Sequence, residues 1–272
     1  MLWKLFVSLA AVLTPSEVKR QNAEPYLPYG PQSPQEQMEA YEALHGDQIN
    51  GDMLFADDFP VDAGIRDTRF RWPGYPGRPE VPYVIDPALS NEPRDCVRKD
   101  DQKPLILQAM EHFHQKTCIK FIPKTEYDWD YIHIFKGKGC YSYVGKRRGG
   151  QSLSLGDGCY FIGSILHELA HAVGLFHEHQ RSDRDNYITI FKDNIDKGHE
   201  NNFELISPNA ELIYTSYDYD SIMHYGDYAF SKQPKVLKTM EAKNGRPLLE
   251  PFDRPGFTNS DIEQLRKLYY CR

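Results

Sequence analysis

His167-Glu168-Leu169-Ala170-His171-Ala172-Val173-Gly174-Leu175-Phe176-His177 is the stretch from which the rest of the chain is read. His167 and His171 stand four residues apart, one turn above each other on a helix, so both imidazoles can grip one metal ion. Glu168, between them, projects toward a water on that metal and suits a general base. Gly174 lets the chain leave the helix through a backbone conformation that costs other residues more, and the turn brings His177 round as a third ligand. Ile165, Leu166, Leu169, Ala170 and Val173 already supply the helix with an apolar face. Two histidines and a glutamate would add polar groups that must find partners, and a metal supplies them. Three protein ligands leave a zinc coordination position open for water, the mark of a catalytic rather than a structural site.

The chain has 272 residues, 40% hydrophobic and 26% charged, which fits one sizeable soluble domain with extensions. Met1-Leu2-Trp3-Lys4 and the apolar run from Leu5 to Leu13 read as a secretory signal peptide, with residues 1–20 as its approximate extent. No later stretch is long and apolar enough for a transmembrane helix. Residues 1–62 hold ten acidic and three basic side chains, whereas the remainder is balanced at 29 of each. All of the net charge of −7 therefore sits in the leader. With Pro25, Pro28, Pro31 and Pro34, that asymmetry predicts an extended segment draped on the domain. No aromatic-basic pattern points to nucleic acid. Five cysteines in a chain with a secretory leader imply two disulfides and one leftover thiol, and spacing alone does not choose the pairing.

From Arg71 onward the sequence becomes rich in regular elements. Pro82–Ile85, Ile119–Ile122 and Tyr131–Phe135 read as strands, and Lys103–Lys116 as a long amphipathic helix. Ser152-Leu153-Ser154-Leu155 alternates polar and apolar, as an exposed or edge strand would, and so offers itself for antiparallel pairing with an extended peptide. The histidine helix is expected over Gly163–Phe176. Ser260-Asp261-Ile262-Glu263 reads as a capping box opening a last helix that runs to about Tyr270. Strand-helix-strand order in the first half, and irregular structure plus one helix in the second, place the metal between two lobes.

Continued through Glu178-His179-Gln180-Arg181-Ser182-Asp183-Arg184-Asp185, the histidine motif resembles that of the astacin family of zinc endopeptidases, within the metzincin clan. Ser221-Ile222-Met223-His224-Tyr225-Gly226 is similar to the family's Met-turn, and Thr117-Cys118-Ile119-Lys120-Phe121 and Gly139-Cys140-Tyr141-Ser142-Tyr143-Val144-Gly145 are smaller matches. The resemblance covers about residues 63–272. It implies an α+β, two-lobed zinc protease fold: a mixed twisted sheet with two long helices in the N-terminal lobe, and an irregular C-terminal lobe ending in a helix. It implies one catalytic Zn2+ held by His167, His171 and His177, with Glu168 as general base. Tyr225 is implied as a fifth ligand at rest that swings away and donates a hydrogen bond to the tetrahedral intermediate. Met223 would lie beneath the imidazoles as a sulfur-containing floor, and Glu178 would anchor the N-terminus of the activated enzyme. Arg181, Asp183, Arg184 and Asp185 would form a structural ion-pair network. The implied disulfides are Cys118–Cys271 and Cys140–Cys159, leaving Cys96 unpaired.

Ile49-Asn50-Gly51-Asp52-Met53 is similar to the F-x-G-D segment of astacin pro-regions, with Ile in place of Phe, and implies that Asp52 ligates zinc in a latent form. Residues 21–62 would then be an inhibitory pro-segment and residues 63–272 the catalytic domain. Asp62 precedes the expected mature N-terminus at Ala63, where many relatives carry Arg, which leaves the activating protease open. The expectation is a secreted, extracellular, monomeric endopeptidase acting on protein or peptide substrates, with no membrane span and no nucleic-acid partner. A non-catalytic zincin-fold binding or adhesion module is the rival, disfavoured because Glu168 and Tyr225 are both present.

Overall fold

The computed structural model describes residues 30–46, 51–56, 64–89 and 102–272. The expected signal peptide, the Asp62–Ala63 junction and Cys96 lie outside the described residues. Helix α1 (Pro34–His45) opens the described chain. Ser33 caps it, accepting from Glu36 N while the Glu36 carboxylate reaches back to Ser33 N. Strands β1 (Met53–Leu54), β2 (Glu80–Ile85), β3 (Lys120–Pro123), β4 (Tyr131–Phe135), β5 (Cys140–Tyr143) and β6 (Gly150–Leu155) form one mixed sheet in the order β1-β5-β6-β4-β2-β3. Only the β5–β6 pairing is antiparallel.

Between β2 and β3 runs helix α2 (Lys103–Lys116), over the residues expected from its apolar spacing. Ile106, Ala109, Met110 and Phe113 are its buried stripe, and Pro104 sits in its first turn, where a missing N–H costs nothing. Strand β4 covers the residues expected, with Ile132 and Ile134 fully buried and Tyr131, His133 and Phe135 half-buried on the other face. Helix α3 (Ile162–Ala172) packs against α2, β5 and β6 and is buried along its whole length. The C-terminal lobe is mostly irregular. It contains a two-stranded sheet of β7 (Ile188–Ile190) and β8 (Met240–Ala242), and it ends in helix α4 (Asn259–Leu268). The fold is therefore α+β in two lobes, with α2 and α3 as the long helices of the first.

Four expectations are corrected. The leader is not simply extended: Pro34 opens helix α1, whose Ala40, Ala43 and Leu44 are buried in the core. Ser152–Leu155 is not an edge: it lies within β6, which is hydrogen-bonded to β5 on one side and β4 on the other. Ser154 is buried, and its hydroxyl donates to Gly139 O, so a satisfied serine in the core imitates an exposed one. The outer strand of that side is β5, and β1 covers it. Helix α3 stops at Ala172 rather than Phe176, because Gly174 takes φ +106, and a Cβ there would stand 2.5 Å from Ile65 Cδ1. The last helix begins two residues earlier than expected: Thr258 is the N-cap and Asp261 the reciprocal partner, with Leu268 as the last helical residue.

Disulfides join Cys118 to Cys271 and Cys140 to Cys159. The first spans 153 residues of sequence and ties the start of β3 to the chain end. Constraining so long a loop in the unfolded chain contributes about 3–5 kcal/mol. Replacing Cys118 and Cys271 together by Ser is expected to lower the urea midpoint accordingly; an unchanged midpoint would contradict this.

Candidate metal centre

Helix α3 places His167, Glu168 and His171 in the interior, where the three side chains are fully buried. The end of α3 is held by residues remote in sequence. Trp72 Nε1 donates to Ala172 O at 2.8 Å, the Tyr269 hydroxyl donates to Val173 O at 2.9 Å, and Gly145 N donates to His171 O at 2.8 Å. These satisfy carbonyls that a helix end leaves without partners and fix the turn that carries His171. Beyond Gly174 the chain doubles back to His177.

The Nε2 atoms of His167, His171 and His177 converge, at mutual distances of 3.0, 3.1 and 3.2 Å. Every Nδ1 faces an acceptor: His167 faces Ile222 O at 2.7 Å, His171 faces Leu175 O at 2.7 Å, and His177 faces Gln180 Oε1 at 3.1 Å. An acceptor at Nδ1 puts the proton there and leaves the lone pair on Nε2, so three lone pairs point at one place. Burial pushes His171 down to about 4 and lowers His177 as well, which keeps both imidazoles neutral. Three lone pairs so close repel each other unless a cation lies between them. The spacing approaches the roughly 3.3 Å edge of a tetrahedron with bonds of about 2.0–2.1 Å, so the donor set fits zinc.

A fourth donor comes from the leader. Gly51 turns at φ +63, and Asp52 enters the site fully buried. Asp52 Oδ2 lies 2.9 Å from His167 Nε2, and Oδ1 lies 3.0 Å from His177 Nε2 and 3.6 Å from His171 Nε2. Burial alone would raise its pKa, but its place against His177 and His167 outweighs burial and holds it well below the usual carboxylate range, so it stands there as an anionic donor. The four residues together form a cluster able to hold a metal ion. The leader is also held by its backbone, since Ser142 N donates to Asp52 O at 2.8 Å and Val144 N donates to Leu54 O at 2.9 Å.

Glu168 has neither carboxylate oxygen hydrogen-bonded. Burial, then the charge of Asp52, raises its pKa well above the ordinary value. Tyr225 is likewise buried with its phenol facing Asp52, and burial followed by the Asp52 charge raises its pKa. Its ring packs against His177 at 4.3 Å and His179 at 4.6 Å between centroids. Met223, two residues earlier, is buried in the same turn. Asp261 organises that turn from α4, accepting from Ser221 Oγ at 2.6 Å and Ile222 N at 3.0 Å. Ile222 O is the acceptor for His167, so one carboxylate of the last helix sets the orientation of a ligand in α3.

Glu178 accepts from Asp218 N at 2.8 Å and Arg181 Nη1 at 2.9 Å, and burial pushes it up to about 7. It lines a cavity of about 50 Å³ shared with Ile65, Arg181 and Asp261. Arg181 also pairs with Asp183, and Arg184 pairs with Asp185 and donates to His179 O and Phe203 O. Sequence reasoning misses several neighbours of the centre. Gln180 orients His177, and its spacing of three from that ligand is the available signal. Asp261 shows in the sequence only as a cap. His45 and Tyr41 of α1 carry no signal at all: His45 pairs with Glu250 at 3.0 Å and packs edge-on against Tyr225, while Tyr41 Oη donates to Tyr228 O.

The family model for the astacin peptidases matches residues 71–270. The chain is 41% identical over 228 residues to astacin-like metalloprotease toxin 1 of Loxosceles intermedia, covering 82% of this chain and 81% of the toxin. It is 40% identical over 215 residues to zinc metalloproteinase nas-13 of Caenorhabditis elegans, covering 76% of this chain but 42% of the nematode protein. Among solved structures, high choriolytic enzyme 1, a hatching-enzyme zinc protease of Oryzias latipes, superposes with a TM-score of 0.66 at 35% identity. That match covers 76% of this chain and 97% of the fish enzyme. With the histidine centre, the fold and these relatives in agreement, the chain belongs to the astacin family of zinc metalloproteinases.

Proposed function

We propose that the protein is a secreted, extracellular zinc endopeptidase made as a latent zymogen, in which residues 1–20 are a signal peptide, 21–62 an inhibitory pro-segment and 63–272 the catalytic domain. The observation that carries the reading is the fully buried carboxylate of Asp52 against the three converging imidazoles. A leader carboxylate in that position competes for the space that a substrate carbonyl and its attacking water need. Removal of the leader by an activating protease also exposes β5, whose outward N–H and C=O groups can pair with an extended peptide. Among the described residues no helix is long and apolar enough to cross a membrane. The enzyme acts as a monomer.

Zinc held by His167, His171 and His177 supplies an acidified water and a polarised scissile carbonyl. Glu168 accepts the proton of the attacking water and passes it to the leaving amine. Its position supports this, because both oxygens are buried and free of other partners. The Tyr225 phenol, which faces Asp52 in the uncut chain, donates to the oxyanion once the leader is gone. Glu178, in its cavity beside Ile65, receives the amino group of the new N-terminus near Ala63.

The test uses the full chain folded with zinc and then cut by limited proteolysis in the leader. Hydrolysis of a denatured protein substrate is expected, is abolished by a chelator, and returns when zinc is restored. Hydrolysis that survives complete removal of the metal, or its absence from the cut zinc-loaded protein, would overturn the reading.

A further inference from the structure

At the C-terminal end of β5 lies a concavity of about 290 Å³ lined by Arg69, Phe70, Lys146, Arg147 and Arg148. Four cationic side chains meet there, and only two have carboxylate partners on the described chain. Arg69 pairs with Asp67 at 2.6 Å and Lys146 with Asp130 at 2.7 Å. Arg147 and Arg148 have no carboxylate partner among the described residues. The Arg147 guanidinium lies over the Tyr143 ring, 4.5 Å from its centroid, which holds it on the face of the sheet that Tyr143 occupies.

This concavity stands at the end of the edge on which a peptide would lie. Val144 N is the last β5-side donor that β1 uses, and beyond it Gly145 N is taken by His171 O and Lys146 N by Phe70 O. A strand on β5 therefore runs up to the basic loop and stops being paired there. Leu54 is in register with Tyr143, so a residue in its place shares the face of Tyr143 and Arg147.

We infer that this basic concavity is a specificity subsite selecting acidic side chains on the N-terminal side of the scissile bond, two to four residues from it, in substrates running antiparallel to β5. The inference rests on the endopeptidase reading above. Carboxylate oxygens of the substrate meet the Arg147 and Arg148 guanidinium groups, whose forked donors suit them. The pairs are solvent-facing, so salt weakens the preference.

The experiment compares kcat/KM for peptides that carry Asp or Asn at these positions, using the full chain folded with zinc and cut in the leader. An Asp-over-Asn ratio of about tenfold is expected at low salt, falling toward one in molar NaCl. The Arg147→Glu/Arg148→Glu protein is expected to bring the ratio below one, and the remote charge reversal Lys116→Glu to leave the ratio as it was. A ratio near one in the parent enzyme, a ratio that survives the double reversal, or acid preference confined to the C-terminal side would overturn the inference with hydrolysis intact. Loss of hydrolysis of every peptide by the parent would instead remove the endopeptidase reading, and the inference with it.

Discussion

Replacing Glu168 by Gln is expected to slow peptide hydrolysis by the activated enzyme on the order of 10²- to 10⁴-fold while one zinc per chain is retained. The amide keeps the shape of the side chain and loses only the capacity to take a proton from the attacking water. Zinc binding should persist, because the ligands are the three imidazoles, each held by its own acceptor: Ile222 O, Leu175 O and Gln180 Oε1. Stability should not fall either. Glu168 is fully buried with both oxygens unpartnered, so its carboxylate opposes folding. A neutral amide relieves part of that cost. The checks are metal content, the urea midpoint and turnover measured on one preparation. Near-normal turnover with zinc bound would remove Glu168 from the mechanism.

Asp52→Ala is expected to raise the activity of the uncut chain at least about tenfold over the uncut parent, without reaching the activity of the cut enzyme. The gain follows from removing a buried carboxylate that lies 2.9 and 3.0 Å from two ligand nitrogens. The shortfall follows from the remaining attachments of the leader. Its backbone still pairs with β5 at Ser142 and Val144, Tyr41 still donates to Tyr228 O, and His45 still pairs with Glu250 behind Tyr225. A second change that loosens α1, Tyr41→Ala with His45→Ala, should bring the uncut Asp52→Ala chain closer to the cut enzyme. Continued full latency of Asp52→Ala would show that the leader acts by obstruction rather than by occupying the centre.

Much of the first lobe is legible because its periodicities are clean. In α2 the buried Ile106, Ala109, Met110 and Phe113 recur at helical spacing, and in β4 Ile132 and Ile134 alternate with half-buried neighbours. The misplacement of β6 has a definite cause: a serine whose hydroxyl is satisfied by a backbone carbonyl can be buried, and alternation does not distinguish it from an exposed one. The helix stop differs from its expected place because His177 belongs to the motif without belonging to the helix. A positive φ at Gly174 ends α3 before the third ligand.

The donor set at the centre is written in local spacing. The spacing of His167, Glu168 and His171 along one helix, and of His177 after a glycine, is a local property that any correct folding of those residues expresses. Tertiary structure decided everything that depends on surfaces meeting across long separations. It set which strand lies beside the cleft, how Asp261 orients His167 through Ile222, and how Asp52 and His45 of the leader reach the centre and its tyrosine. The polar contacts among them join groups from 39 to 115 residues apart, and His45 is held by Glu250, 205 residues away. No periodicity encodes such a pairing. It exists only because burial in a shared interior requires each of those groups to find a partner.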